Sequence, residues 1–352
     1  MNTLKRKIWY VFLVIFVLFF IVGTVFVCMF GPKIYAKLRN LTRGSIVWGV
    51  PDKEQRFSDT DIPIVITTDD AYTLQTVVML TSLLESSNDE NFYKIDILIP
   101  SEFSKENKEK VSNLQNSYKN CDIEFIDMKD CFKNSFISKH FSEVVYYRLR
   151  IPTVLETRKR CIYVDVDTIV EKDLLELYRY DMGNNWVAGV ADSGRSVFYK
   201  NEEERKKRED YKKSIDLKSF DQYINSGVLL LNLEAIREDK VEDKFKTFLE
   251  THRDPMQHDQ STINSSCYGK ICSLPFKYNA QMYMFFDQEE NKFSSLFSEK
   301  DWNEGWNDSV IIHYAGEKPW SDPSTYRIER WWNFARKTPY WKEILKKFRT
   351  TK

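Results

Sequence analysis

The sequence has no surplus of charge, because its 52 lysine and arginine residues equal its 52 aspartate and glutamate residues. Such a chain has no overall positive field to attract phosphates, which argues against a general nucleic-acid-binding protein. Cysteine is also scarce, with six residues in 352 and no C-x-x-C pair. A disulfide scaffold, a zinc ribbon and a thioredoxin-like redox motif are therefore not indicated.

One long apolar run stands out in a chain that is otherwise mixed. Residues 8–30 carry no charge over about 23 positions, or roughly 34 Å as a helix, which is enough to span a bilayer. Phe26, Met29 and Phe30 are bulky, whereas a cleaved signal peptide has a shorter core and small residues at its cleavage site. We therefore expect a single-pass membrane protein with an N-terminal transmembrane anchor and a lipid-bilayer partner. Basic residues flank both ends, so the side of the membrane stays open, cytoplasmic if bacterial or lumenal if secretory.

The remaining chain is divided by changes in periodicity. Residues 31–61 mix Pro32 and Gly44 with scattered charges and lack sustained periodicity, which is typical of a stem. From residue 62 onward short apolar runs alternate with helical spacing, which predicts an α/β fold with a central, mostly parallel mixed sheet. The expected layout is a basic flank at 1–7, the anchor at 8–30, the stem at 31–61, a globular domain at 62–320 and a tail at 321–352.

The apolar pattern also predicts individual elements. Strands are expected at 64–66, 95–99, 123–126, 161–164 and 227–233, and helices at 73–85, 104–118, 144–154, 202–213 and 234–251. Between residues 331 and 348, aromatic side chains alternate with lysine and arginine. This composition suits either a membrane interface or helices whose aromatics pack on the domain, and both interpretations stay open. Pro339 excludes one continuous helix.

Two aspartates directly follow the apolar strand expected at 161–164. Ligands in open α/β sheets bind at the carboxyl ends of strands, and the spacing of Asp165 and Asp167 lets both carboxylates share a divalent cation. A haloacid-dehalogenase type of phosphotransferase uses such a pattern, with the first aspartate as nucleophile. That class also needs a later acidic pair, and neither Asp-Asp nor Gly-Asp-x-x-x-Asp follows Asp167. The alternative is a nucleotide-sugar enzyme whose metal bridges a diphosphate.

Six separated blocks of sequence favour the second class. Over about residues 62–320 the chain resembles glycosyltransferase family 8, the retaining, metal-dependent enzymes with the GT-A fold, including bacterial lipopolysaccharide galactosyl- and glucosyltransferases and glycogenin-like enzymes. The blocks are Ile64-Val65-Ile66-Thr67-Thr68-Asp69-Asp70, Tyr146-Tyr147-Arg148-Leu149, Tyr163 to Thr168, Asn225 to Asn232, Asp259-Gln260, and His313-Tyr314-Ala315-Gly316-Glu317-Lys318-Pro319-Trp320. The resemblance implies a Rossmann-like nucleotide-sugar-binding domain.

The resemblance also implies a role for each matching residue. The metal ligands would be Asp165, Asp167 and His313, holding Mn²⁺ or Mg²⁺. Contacts to the donor would come from Thr67 and Asp69 at the uracil ring, Gly316 at the diphosphate, Arg148 at the sugar or the diphosphate, and Asn225 and Ser226 at the sugar. The catalytic residues would be Asp259 and Gln260 near the anomeric carbon and Lys318 at the departing phosphate.

The implied activity is transfer of a hexose from UDP-glucose or UDP-galactose to a glycan or glycolipid acceptor, with retention of configuration. Attack on the same face as departure, with the diphosphate accepting the proton of the acceptor, is the expected route. Two departures, Ala71 and Ser261, stand where many members have asparagine and an acidic residue. Ala71 supports the alternative of a catalytically weak, membrane-anchored glycan- or nucleotide-binding protein of the same fold, and a self-glucosylating primer protein is a third possibility. The acceptor and the oligomeric state are not readable from the sequence.

Overall fold

The computed structural model describes residues 45–52, 61–135, 142–192, 202–252, 257–282 and 296–349. From Ile46 onward these residues belong to one structural unit. Its strands are β1 (Ile62–Thr67), β2 (Tyr93–Ile99), β3 (Cys121–Asp127), β4 (Arg160–Val164), β5 (Thr168–Val170), β6 (Val187–Ala191), β7 (Ile224–Asn232), β8 (Ile271–Ser273), β9 (Ala280–Gln281) and β10 (Ile311–His313).

Helices connect and cover these strands. The α-helices are α1 (Thr73–Glu85), α2 (Lys105–Ser112), α3 (Leu114–Ser117), α4 (Ile151–Val154), α5 (Leu175–Tyr178), α6 (Glu202–Ser214), α7 (Leu233–Glu238), α8 (Val241–Thr251), α9 (His258–Ser266), α10 (Glu299–Asn307), α11 (Ile328–Lys337) and α12 (Trp341–Arg349). Short 3-10 helices occupy Asp70–Tyr72, Glu143–Arg150 and Phe276–Tyr278.

The main sheet has the strand order β3-β2-β1-β4-β7-β6-β8. Strands β1 to β4 run parallel, whereas β7 is antiparallel to both of its neighbours, β4 and β6. Every residue of β1 and β2 is buried, because helices cover both faces of a parallel sheet. The predicted α/β architecture with a mixed sheet is confirmed.

A second, three-stranded sheet with the order β5-β10-β9 adjoins the end of β4. Strand β5 begins only four residues after β4 ends, so the main chain passes directly from one sheet to the other. Strand β10 pairs antiparallel with β5 and sets His313 opposite Thr168. This pairing brings two distant parts of the sequence to the same sheet end.

The helix predicted at 73–85 is confirmed residue for residue by α1. The helix expected at 144–154 is instead mostly a 3-10 helix, Glu143–Arg150, followed by the short α4. Pro152 gives the reason, since it has no N–H to donate to the carbonyl of Arg148 four residues earlier. That carbonyl accepts from the N–H of Ile151 instead, which is the tighter 3-10 pattern.

The tail folds onto the domain as two helices, α11 and α12, separated near Pro339 as expected. Trp331 and Ile344 are completely buried within the main hydrophobic core. Lys342 and Lys346 of α12 face water. Of the two interpretations left open for this segment, the structure shows the one in which the aromatics pack on the domain.

The predicted transmembrane helix and single-pass membrane localisation are not supported and require correction. No helix within the described ranges is both long and apolar enough to cross a membrane. Helices α1 and α6, of 13 residues each, reach only about 20 Å at 1.5 Å per residue, against roughly 30 Å of bilayer core. The segment that suggested the anchor, residues 8–30, lies outside the described residues, as does most of the stem. The fold class is thus corrected to the α/β domain alone.

Candidate active site

The carboxyl end of β4 carries the two aspartates of the D-x-D motif. The chain turns between β4 and β5, and the Thr168 hydroxyl closes this turn by donating to the carbonyl of Asp165 at 2.8 Å. The pairing of β10 with β5 then brings His313 beside Asp167, with His313 Nε2 3.2 Å from Asp167 Oδ1. Ligand atoms of Asp165, Asp167 and His313 all lie within 4.8 Å of one another.

Gly227 makes the close approach of these three residues possible. It lies in β7, next to β4, and its carbonyl accepts from the N–H of Asp165 at 2.7 Å. A Cβ atom at this position would stand 2.2 Å from His313 Cε1 and 2.9 Å from Asp165 Oδ2. Because no side chain fits there, the backbone of β7 forms one wall of the cluster.

Lys318 neutralises one of the two aspartates. Its ammonium donates to Asp167 Oδ2 at 2.5 Å and to the carbonyl of Tyr314 at 2.7 Å. Burial alone raises the pKa of Asp167, but Lys318 and His313 outweigh burial and hold that pKa well below its ordinary value. Asp167 is therefore a carboxylate throughout the usual pH range.

Asp165 has a different environment. Its Oδ1 accepts from the hydroxyl of Tyr163 at 2.6 Å and from Arg148 Nη2 at 2.9 Å. Burial raises the pKa of Asp165 despite the attraction of Arg148, and the nearby Asp167 raises it further. Two like charges close together are costly, so this pair has a physical reason to bind a cation.

Arg148 connects the aspartate cluster to a second carboxylate. The side chain is buried, lies over the ring of Tyr163 at 4.3 Å, and places Nε 3.2 Å from Asp259 Oδ2. The carboxylates of Asp165 and Asp259 outweigh the desolvation of Arg148 and raise its pKa above the ordinary value. One guanidinium thus holds two carboxylates that lie 94 positions apart in the sequence.

Asp259 and Gln260 open helix α9 and face β7. The Ser226 hydroxyl donates to Asp259 Oδ2 at 2.9 Å, and the Ser226 N–H donates to Gln260 Oε1 at 3.0 Å. Burial raises the pKa of Asp259, although Arg148 and Ser226 oppose that effect. Asn225, the next residue along β7, is also buried. The structure therefore brings together all four residues that the resemblance assigned to the sugar.

The end of β1 forms the other side of the site. Asp69 caps the 3-10 helix Asp70–Tyr72, with Oδ1 accepting from the N–H groups of Ala71 and Tyr72 at 3.1 and 3.3 Å. The Thr67 hydroxyl lies 3.0 Å from the Tyr163 hydroxyl, which itself donates to Asp165. The side chain of Thr67 is thus part of a chain of hydrogen bonds that leads to Asp165.

Gly316 lies in the loop that carries Lys318 back toward the aspartates. Its φ of +102° is in the region that favours glycine, so another residue would strain the loop. Two contributors to the site, Tyr163 and Asn279, were not assigned from the sequence. Asp192 was also not assigned, although it directly follows β6 and the rule that singled out Asp165 applies to it.

The residues at the cluster fit a divalent cation. Two carboxylates and one imidazole are a donor set that suits Mn²⁺. Around them, the carboxylates of Asp165, Asp167 and Asp259 outnumber the cations of Arg148 and Lys318, so a cation would neutralise residual negative charge. The imidazole of His313 also has the outer hydrogen bond typical of metal-binding histidines, from Nδ1 to Asn279 Oδ1 at 2.9 Å.

The mixed sheet and its covering helices have the GT-A architecture. Residues 63–324 match the family model described as glycosyl transferase family 8. The match covers well over half of the sequence, so the chain belongs to glycosyltransferase family 8 and the protein is a glycosyltransferase.

Relatives in bacteria are similar over most of the chain. General stress protein A of Bacillus subtilis (strain 168) is 28% identical over 270 residues, which cover 75% of this chain and 88% of the relative. A lipopolysaccharide 1,2-glucosyltransferase of Escherichia coli is 27% identical over 263 residues, 73% of this chain and 73% of the relative.

Solved structures share the fold. The galactosyltransferase LgtC, in complex with donor and acceptor sugar analogues, aligns with a TM-score of 0.65 at 24% identity, covering 81% of this chain and 100% of LgtC. The bifunctional glycosyltransferase WbbM aligns with a TM-score of 0.67 at 23% identity, covering 84% of this chain. This chain spans about half of WbbM, 53% of its length. At these identities the likeness concerns the fold alone.

Proposed function

We propose that this glycosyltransferase transfers a hexose, glucose or galactose, from a uridine diphosphate sugar to a glycan or glycolipid acceptor with retention of configuration. The observation that carries the proposal is the convergence of Asp165, Asp167 and His313 within 4.8 Å, between Lys318 on one side and the pair of Arg148 and Asp259 on the other. This arrangement supplies the groups that a diphosphate and a sugar require.

In this proposal Asp165, Asp167 and His313 hold Mn²⁺ or Mg²⁺. The bound cation supplies Lewis-acid neutralisation of the charge on the departing diphosphate. Lys318 supplies a second positive charge at the same place, because its ammonium already lies 2.5 Å from Asp167. Gly316 allows the backbone of its loop to approach the diphosphate closely.

The donor is held at two further points in this proposal. Asp69 and the backbone of Thr67, at the end of β1, bind the uracil ring, while Asn225 and Ser226 contact the sugar. Support comes from their position, since β1 and β7 flank β4 in the sheet, and from the burial of Thr67, Asn225 and Ser226. Arg148 orients Asp165 and Asp259 at the same time, and thus sets the sugar site relative to the metal site.

In this proposal Asp259 and Gln260 lie near the anomeric carbon of the donor. Asp259 Oδ2 accepts from the Ser226 hydroxyl and forms an ion pair with Arg148 Nε at 3.2 Å, so this oxygen is engaged and is a poor nucleophile. This favours attack by the acceptor on the face from which the diphosphate leaves. The bond from the anomeric carbon to phosphate oxygen breaks, the bond to the acceptor oxygen forms, and the diphosphate takes the acceptor's proton.

Donor hydrolysis by the full-length protein tests the proposal without an acceptor. A panel of nucleotide sugars is incubated with Mn²⁺, with Mg²⁺ or with a chelator, and released nucleoside diphosphate is measured. We expect release from UDP-glucose or UDP-galactose only with a divalent cation, and none from Asp165→Asn. Asp181→Asn is the control, since Asp181 is exposed and lies in the segment that leads into the amino end of β6. Equal release with chelator, or full activity in Asp165→Asn, contradicts the metal assignment.

A further inference from the structure

Asn279 is a buried residue that touches the imidazole of His313. It lies between the 3-10 helix Phe276–Tyr278 and strand β9, and it has no exposed surface. Asn279 Oδ1 lies 2.9 Å from His313 Nδ1, and Asn279 Nδ2 donates to Asn225 Oδ1 at 2.9 Å. Its amide therefore joins a candidate metal ligand to a candidate sugar-binding residue.

The orientation of the Asn225 amide is fixed on both sides. Its oxygen accepts from the N–H of Gly227 at 3.0 Å, and its nitrogen donates to Asp192 Oδ2 at 3.3 Å. If the amide were flipped, its NH₂ group would face a backbone N–H and its oxygen would face a carboxylate. The contact with Gly227 would then have no acceptor, and the contact with Asp192 would have no proton. Buried polar groups do not tolerate such contacts.

This orientation determines the proton on His313. Because Asn225 presents an oxygen, Asn279 must present its NH₂ group to Asn225 and its oxygen to His313. A carbonyl oxygen only accepts hydrogen bonds, so His313 Nδ1 must carry a proton. The other ring nitrogen, Nε2, is the one that faces Asp167.

We propose that Asn279 is a positioning residue for the metal site, which fixes His313 with its proton on Nδ1 and with Nε2 directed at the cation. The proposal rests on the metal site of the proposed function. Metal-binding histidines commonly need such an outer hydrogen bond to hold the ring and its tautomer. Here the backbone N–H of Gly227 orients the amide of Asn225, which orients the amide of Asn279. The amide of Asn279 in turn orients the ring of His313.

The same hydrogen-bonded chain reaches the sugar site. Asp192 Oδ2 accepts from Gln260 Nε2 at 3.0 Å as well as from Asn225. The oxygen of Gln260 then accepts from the N–H of Ser226. Two consecutive backbone N–H groups of β7, at Ser226 and Gly227, thus orient amides that serve opposite ends of the candidate active site.

The first test measures the proton directly and needs no metal. The chain has four histidines, so ¹⁵N-histidine labelling of the full-length protein gives four sets of ring signals, and His313→Asn identifies the set of His313. At pH 8, without metal, we expect long-range ¹H–¹⁵N spectra to show a protonated Nδ1. A neutral ring with its proton on Nε2 alone overturns the proposal.

The second test measures Mn²⁺ binding by calorimetry, without donor. Asn279→Ala should raise the Kd of Mn²⁺ by about 10- to 100-fold, the usual effect of removing such a partner. Asn279→Asp should lose less affinity than Asn279→Ala, because a carboxylate still accepts from Nδ1–H although it cannot donate to Asn225. An unchanged Kd in Asn279→Ala overturns the proposal.

A control and a fallback keep these results interpretable. The control is Asn91→Ala. The side chain of Asn91 donates to the carboxylate of Asp173, outside the site, so this variant should leave the Kd of Mn²⁺ unchanged. If Asn279→Ala does not fold, the ring signals of the wild-type protein decide. If the wild-type protein binds no Mn²⁺, the metal site of the proposed function fails, and the ring signals still test the role of Asn279.

Discussion

Gly227 packs against the imidazole ring of His313 so closely that a methyl group cannot be placed between them. A Cβ at Gly227 would lie 2.2 Å from His313 Cε1. Gly227→Ala must therefore displace His313 or the backbone of β7. We expect the Kd of Mn²⁺, measured by calorimetry, to rise at least about tenfold, as happens when the geometry of a metal ligand is disturbed.

The control for this variant is Gly189→Ala in the neighbouring strand β6. There the added Cβ would meet the end of the Ile224 side chain at 2.6 Å, away from the cluster. Gly189→Ala should lower the melting temperature and leave the Kd of Mn²⁺ unchanged. Wild-type Mn²⁺ affinity in Gly227→Ala would show that His313 is not a ligand.

Asp165 and Asp167 carry pKa shifts of opposite direction, so their stability effects should differ. Burial raises the pKa of both, but Lys318 and His313 outweigh it at Asp167. An acid whose folded-state pKa lies below its unfolded value of 3.8 stabilises the fold above that pH, and this stabilisation is lost as the pH falls through the folded-state pKa. The raised pKa of Asp165 has the opposite effect on stability, because the charged form of Asp165 is disfavoured in the folded state.

At pH 7 without metal, Asp167→Asn should therefore lower the melting temperature, by roughly 2–4 °C for each kcal/mol lost. Asp165→Asn should keep or raise it. Both variants should lose the increase in melting temperature that Mn²⁺ gives the wild-type protein. Scanning fluorimetry with chelator and with Mn²⁺ measures both effects. Equal destabilisation by the two variants in chelator would contradict the electrostatic account of Asp167.

The sequence predicted those parts of the site that follow from local pattern. The apolar run of β4 followed by Asp165 and Asp167 marks a strand end without any knowledge of its neighbours. Helix α1 was predicted to the residue, because its apolar positions and its ends are local features. A helix was predicted around Arg148, but its 3-10 geometry was not. Pro152 has no N–H for the carbonyl of Arg148, which accepts from Ile151 instead.

The contacts that organise the site could not be predicted in the same way. Asn279 acts through Asn225 and His313, which are 54 and 34 positions away, and no spacing rule links them. The requirement for glycine at position 227 arises only once β10 brings His313 against β7. Such contacts depend on the order of strands in the sheet, and hydrophobic periodicity does not encode that order.

Lys318 both neutralises Asp167 and, in the proposed function, serves the departing phosphate. Replacing it with methionine removes a positive charge 2.5 Å from Oδ2 of Asp167, a proposed metal ligand. Lys318→Met should therefore tighten Mn²⁺ binding in the absence of donor, because a cation next to the site repels the metal. The same variant should lower turnover by about 10²- to 10³-fold, since a charge that stabilises the departing group is lost.

Calorimetry with Mn²⁺ and initial rates of donor hydrolysis separate these two effects of Lys318. Lys337→Met is the matched control, because Lys337 forms a surface ion pair with Glu85 on helix α1. It should change neither Mn²⁺ affinity nor turnover. If Lys318→Met binds Mn²⁺ more weakly than the wild-type protein, the ammonium does not compete with the metal for Asp167.

Substitutions of Trp331 test how much the aromatic tail contributes to the stability of the core. Its ring is fully buried, with centroids 5.5 Å from Trp320 and 6.0 Å from Phe348. Trp331→Ala should cost about 3–5 kcal/mol of unfolding free energy, as is usual for a large buried side chain. Trp331→Phe should cost much less, because the indole N–H has no hydrogen-bond partner in the part of the chain that the structure describes. The control is Lys342→Ala, on the exposed face of α12, which should leave the midpoint of urea unfolding unchanged. An unchanged midpoint in Trp331→Ala would show that this segment contributes nothing to the stability of the fold.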